Sequence, residues 1–183
     1  MNRLIFNIRY KLVAILTLIF ILTACGADTK QLPPKAKILI SPSTKEWNII
    51  PNIQTDADGN EFCSIVEDHY QDEFITVLVT DSQDRAIGDI ELVISLNLSG
   101  NTYSGYPVVE LYDDLNGDYI PDPDELVSGK EDPLYITTTD EYTGSKNLIV
   151  RMNLSCTYRA QLAVFVDGLS ASADLEVKDK NNR

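Results

Sequence analysis

"DIELVISLNLS", Asp89 to Ser99, is the stretch whose reading decides the fold. Ile90, Leu92, Ile94, Leu96 and Leu98 share one parity, and Glu91, Ser95 and Asn97 share the other. Successive side chains of an extended chain point to opposite faces, so this alternation gives one face for a core and one for water. On a helix the same apolar residues would be scattered around the axis.

The pattern repeats in both directions along the chain. In "NLIVRMNLS", Leu148, Val150, Met152 and Leu154 alternate with Arg151 and Asn153. Ala160, Leu162, Val164 and Val166 share a face in "RAQLAVFV", as do Ala173, Leu175 and Val177 in "SADLEVKD". "EFITVLVTD", Glu73 to Asp81, is more continuously apolar and β-branched, as a central strand can be. "AKILIS", Ala36 to Ser41, and "PVVELY", Pro107 to Tyr112, are shorter candidates. Turn-forming clusters separate the runs, among them "DSQDRAIGD", "LSGNTYSG", "DEYTGS" and "VDGLS". Seven or so short strands at this spacing predict an all-β protein, an antiparallel β-sandwich.

The N-terminus reads differently. Arg3, Arg9 and Lys11 precede an apolar run, Leu12 to Leu22, that is too short to span a bilayer and fits the apolar part of an export signal. The run ends in "LTACG", Leu22 to Gly26, which resembles the bacterial lipobox. The resemblance implies a signal peptide over 1–24 and lipidation of Cys25, which becomes the mature N-terminus. Gly26, being other than Asp, implies sorting to the outer membrane by resemblance to Gram-negative lipoproteins. Residues 25–35 read as a polar, proline-bearing tether, and 36–183 as the domain. Loss of residues 1–24 leaves 12 Lys+Arg against 28 Asp+Glu, a net charge near −16. Such a surface repels nucleic acid and anionic headgroups, so the membrane contact expected is the lipid itself. With Cys25 acylated, Cys63 and Cys156 remain, and two thiols in an exported, oxidising compartment are expected to pair.

"FITVLVTDSQDRAIGDIELVISL" resembles the strand–turn–strand of bacterial immunoglobulin-like domains of the invasin/intimin type, Big-1-like, with Val79, Asp81, Ala86, Gly88 and Ile90 in the corresponding places. "TTTDEYTGSKNLIV", Thr137 to Val150, resembles their later Thr-Asp…Gly turn, and "YRAQLAVFVDGLSASADLEV" their closing hairpin. The resemblance covers most of residues 74–177 and implies an immunoglobulin-like sandwich. The chain departs from the pattern in a longer stretch between Ser99 and Leu134 and in its two cysteines. In that topology the second and fifth strands are antiparallel neighbours. Cys63 precedes one and Cys156 follows the other, so a bridge between them is geometrically plausible. Tyr158, opening the next strand, is either a hydrogen-bonded anchor or an ordinary core aromatic.

"DDLNGDYIPDPDELVSG", Asp113 to Gly129, is an acidic insertion with six carboxylates in its first thirteen residues. Counted from Asp114, the EF-type calcium spacing places oxygen side chains at Asp114, Asn116, Asp118, Asp122 and Glu125, and the backbone carbonyl of Ile120 at the seventh position. It also resembles the calcium loops of thrombospondin type 3 and dockerin-like repeats. The sixth position, where the EF pattern needs Gly, is Tyr119, and Gly117 lies two residues earlier. Two readings stand: a weak extracytoplasmic calcium site, or a solvated loop of Asx and β-turns.

His69 is the only histidine and sits in a charged connector, "EDHYQDE"; no nucleophile elbow, phosphate loop or glycine-rich fingerprint occurs. Trp47 reads as core or edge packing rather than a recognition surface. The expectation is a non-enzymatic, outer-membrane-anchored lipoprotein, periplasmic or surface-facing, whose domain makes protein contacts. The alternative is a carbohydrate-binding or hydrolytic lipoprotein that uses the acidic loop.

Overall fold

A computed structural model describes residues 30–100, 108–128 and 134–181. The signal segment 1–24 and Cys25 lie outside the described residues. Among the described residues twelve strands follow one another: β1 (Lys37–Ser41), β2 (Thr44–Ile49), β3 (Ile53–Thr55), β4 (Glu61–Cys63), β5 (Tyr70–Thr80), β6 (Glu91–Ser99), β7 (Val109–Asp113), β8 (Leu126–Ser128), β9 (Leu134–Thr138), β10 (Ser145–Asn153), β11 (Tyr158–Val166) and β12 (Leu169–Asp179). The sequence runs that alternate all became strands. Those without clean alternation, β2, β3, β4, β8 and β9, are visible only in the structure.

Two five-stranded sheets face each other, in the orders β1-β5-β10-β7-β8 and β2-β12-β11-β6-β9, with β3 and β4 as a separate hairpin. All pairs are antiparallel except β2 with β12, where Trp47 lies opposite Val177 in a parallel pair. The chain thus switches sheets between β1 and β2, putting its first strand on one sheet edge and its second on the other. With β5, β10 and β7 on one side and β12, β11 and β6 on the other, this is the immunoglobulin-like sandwich. One feature is added: β7 and β8 form on the first sheet before the chain returns to line β6 with β9.

The parity read from the sequence is the parity of the core. Ile90, just before β6, and Leu92 and Ile94 of β6 pack against Ile75, Val77 and Val79 of β5, Leu148, Val150 and Met152 of β10, and Leu162, Val164, Leu175 and Val177 of the closing hairpin, all essentially inaccessible. Burying a side chain of that size contributes about 1.5–3 kcal/mol each relative to leaving it exposed. Leu96 is only half-buried and Leu98 is exposed; both lie past Ser95, where the pairing of β6 with β9 stops. The packed body takes in part of the expected tether: Leu32 packs on the core, and its N–H donates to Asp167 Oδ2 at 3.2 Å. Trp47 packs half-buried on the core under Lys45 Nζ, 5.7 Å from its ring, as expected of a packing aromatic.

Two of the motifs carrying the invasin-type resemblance meet at one contact. The turns 81–90 and 139–145 pack backbone on backbone, joined by Thr139 N–H to Ile90 O at 2.9 Å and Ile90 N–H to Thr139 Oγ1 at 3.1 Å. A Cβ on Gly88 would stand 2.0 Å from Glu141 O, and one on Gly144, whose φ is +62°, would stand 2.7 Å from Ile87 N. Gly88→Ala must therefore push the two turns apart. We expect it to lower the stability of the chain by about 3 kcal/mol, read as a lower urea midpoint.

The second pole is closed by the disulfide. Cys63 Sγ, at the end of β4, is bonded to Cys156 Sγ, and the two are separated by 93 residues. The expected adjacency holds, since Tyr70 at the start of β5 pairs with Asn153 at the end of β10. The bridge does not cross the sandwich; it ties the 50–69 connection to the turn after β10. A buried polar hub reinforces it: Asn153 Nδ2 donates to Val66 O, Ser155 N–H to Asn153 Oδ1, and Val66 N–H to Ser155 Oγ, all at 2.9 Å. Tyr158 proves to be the anchored kind. Its hydroxyl is 2.9 Å from the carbonyls of both Asn153 and Val108, and burial pushes its pKa well above the ordinary tyrosine value. A strand-opening tyrosine bonded to backbone five residues upstream is a mark of immunoglobulin-type corners.

Candidate functional site

The acidic stretch divides into two environments. Asp113 is not part of the loop. It is the last residue of β7, on the inward parity of Val109 and Leu111, and only 1% exposed. Its Oδ2 accepts from the hydroxyls of Tyr135 and Thr137 on β9 of the opposite sheet. Its Oδ1 has no aligned hydrogen-bond donor, yet Lys146 Nζ of β10 lies 2.5 Å away, and at that range the ammonium charge meets it. The carboxylate is therefore a buried polar strut between the sheets. Burial, then the hydrogen bond to Asp113, pushes the Tyr135 hydroxyl up to about 12, so it stays a donor across physiological pH. The sequence places Asp113 among the six carboxylates of the acidic insertion; the structure pairs it with Lys146 instead.

The loop proper runs from residue 114 to 125 and is closed at its neck by Asp113 N–H to Glu125 O at 2.9 Å. Glu125, 2% exposed, turns its carboxylate back into the loop: Oε1 accepts from Leu115 N–H at 2.9 Å and Asn116 N–H at 3.3 Å. Asp114, 7% exposed, accepts Gly117 N–H on Oδ1 at 2.9 Å, while its Oδ2 is buried with no hydrogen-bond partner. Further out, Asn116 Oδ1 accepts Asp118 N–H and Asp118 Oδ1 accepts Ile120 N–H, each at 2.8 Å. Asn116 Nδ2 donates to Asp122 Oδ2 at 3.3 Å. Desolvation first, then the charges of Asp118, Glu125 and Asp124, raises the Asp122 carboxyl above its usual range. Among the described residues, no three acidic, histidine or cysteine side chains already stand together as a metal centre.

Tyr119 resolves the departure seen in the sequence. It takes φ +61°, the left-handed conformation for which glycine is the usual residue, and Gly117 takes φ +74°. A non-glycine there costs about 1–2 kcal/mol. The tyrosine ring packs edge-on against Phe74, 5.4 Å between centroids and 84° between planes. Phe74 belongs to β5, whereas the loop leaves from β7, so the loop reaches back across β10. Beneath it lies Ile149, paired with both Phe74 and Tyr112 and fully buried although its parity faces outward. The loop is a cover on the first sheet rather than a free flap. Beside it, Arg151 Nε donates to Asp72 Oδ1 at 2.8 Å and stacks 5.3 Å from the Tyr112 ring. Nothing in the loop's composition signals this cover, but the outward-facing run Phe74, Ile149 and Tyr112 could have. His69 is exposed, and its carbonyl accepts Leu154 N–H.

The second sheet presents a different surface. β9 is an edge strand, and its outward residues Leu134 and Ile136 are 57% and 61% exposed. Ile136 pairs with Val93 of β6, and Val93 with Phe165 of β11, itself 43% exposed. An apolar row thus crosses three strands on the outer face and ends at the strand that closes the sheet among the described residues.

No family model and no curated protein matches the chain. Its fold places it among immunoglobulin-like β-sandwiches, and solved structures similar to it are remote. One is a conjugative transposon lipoprotein from Bacteroides eggerthii, with 9% identity over 80% of this chain and 100% of that one, TM-score 0.41. Another is a glycosyl hydrolase family 2 member from Bacteroides cellulosilyticus, with 14% identity over 81% of this chain and 15% of that one, TM-score 0.38. A third is the PapD-like domain 7 of human CEP192, with 7% identity over 84% of this chain and 92% of that one, TM-score 0.36. At these scores none of them assigns an activity or a partner to the chain.

Proposed function

We propose that the chain is a non-enzymatic lipoprotein of the outer membrane, lipidated at Cys25, whose immunoglobulin-like body makes protein contacts in the envelope or at the cell surface. The observation that carries the contact reading is the row of Ile136, Val93 and Phe165 ending at β9, the last strand of its sheet among the described residues. Exposed apolar rows beside a free strand edge are where a partner can add backbone hydrogen bonds and bury apolar surface together. The net charge near −16 favours a basic partner surface. The invasin/intimin resemblance of residues 74–177 supports the same reading. The alternative, a carbohydrate-binding or hydrolytic role for the acidic loop, is disfavoured by its two buried carboxylates, which are turned onto the loop's own N–H groups.

The test is made in living cells with a photo-crosslinking residue at position 136 and an alkynyl fatty acid in the medium. We expect the chain to take up the fatty acid and to form one dominant protein adduct at near-stoichiometric yield. Ile136→Asp should reduce capture at a neighbouring probe position at least tenfold, a loss of about 1.4 kcal/mol of binding. Cys25→Ala should abolish the label. Labelling of Cys25→Ala equal to that of the parent chain would refute the anchor, and absence of any discrete adduct would refute the contact surface.

A further inference from the structure

The geometry points to a calcium site in the 114–125 loop, built on the buried carboxylates of Asp114 and Glu125 and completed by Asn116, Asp118, Asp122 and the carbonyl of Ile120. The loop's acidity alone does not carry this. What carries it is Asp114 Oδ2, an oxygen of a carboxylate 7% exposed that has no donor of any kind. Both buried headgroups sit on the same turn, because Glu125 accepts from the N–H groups of Leu115 and Asn116 and Asp114 accepts from that of Gly117. Two buried carboxylates on one turn, one with an unmatched oxygen, form a place where a cation is matched. The loop contains no Lys or Arg, and no ion pair of the described residues reaches Asp114 or Glu125.

The donors identify the ion. All are oxygens, which excludes soft and imidazole-seeking metals. Calcium accepts six to eight oxygens in irregular geometry, whereas magnesium demands a near-ideal octahedron. The exposed Asp118 can join the buried pair as the ion enters. Because the loop crosses β10 and seats Tyr119 on Phe74, ion binding is linked to the stability of the sandwich as a whole.

The experiment uses the full chain purified in detergent, stripped with a chelator, then titrated calorimetrically and melted with calcium or magnesium. Calcium should bind one-to-one with Kd of about 10⁻⁴ to 10⁻³ M, and at about 10 mM raise Tm by about 4 °C, with magnesium giving little. Asp114→Asn should lose both responses without a lower ion-free Tm, since it removes one of two like buried charges. Asp124→Asn, an exposed acid outside the ligand spacing, should keep both. A flat calcium titration with unmoved Tm would overturn the site, as would an equal magnesium response. So would a calcium response surviving in Asp114→Asn, or one lost as fully in Asp124→Asn.

Discussion

Asp113→Ala is expected to cost the chain about 3 kcal/mol, because it strands the Lys146 ammonium in the gap between the sheets. The Lys146 side chain is 14% exposed, so solvent relieves part of the penalty and the lower end of the range for breaking a buried pair applies. The same change removes the acceptor shared by the Tyr135 and Thr137 hydroxyls. Urea unfolding at neutral pH gives the loss directly. The double variant Asp113→Leu with Lys146→Met supplies the counter-test: replacing both charges by apolar groups of similar size should restore most of the stability. If the double variant is as unstable as the single one, the strut is not what holds β7 and β10 against β9.

Removing the disulfide should be larger still. Cys63→Ser with Cys156→Ser opens a loop of 93 residues, and the chain-entropy estimate for that length is about 4–5 kcal/mol. Two signatures are expected in denaturant. The midpoint falls, and the slope of stability against urea rises, since the unlinked denatured chain exposes more surface. A change of the parent's stability by less than about 1 kcal/mol on removing both thiols would mean that the Asn153–Ser155–Val66 hydrogen bonds hold the 50–69 connection unaided.

The loop was half legible. The calcium spacing could be counted off the residues, and the left-handed turn at Tyr119 could be flagged as the place where the pattern strains. That the turn is nonetheless taken depends on Phe74, 45 residues away in the chain and in contact only because β5 and β7 flank β10. The membership of Asp113 was misread for a related reason. Its charge grouped it with the acids that follow, while its parity with Val109 and Leu111 already placed it inward. Lys146 carries the same signal, falling in step with Leu148 and Val150.

By itself the sequence determined the all-β class and the inward parity of β6, β10, β11 and β12, because alternation is a local property of an extended chain. Only the tertiary structure decided which sheet each strand joined, that β9 is the last strand of its sheet among the described residues with an apolar row beside it, and that Ile149 is buried under a loop. Those depend on contacts between residues far apart along the chain, and short segments such as β8 and β9 become strands because a neighbour offers them hydrogen bonds and cover, not because their own residues demand it.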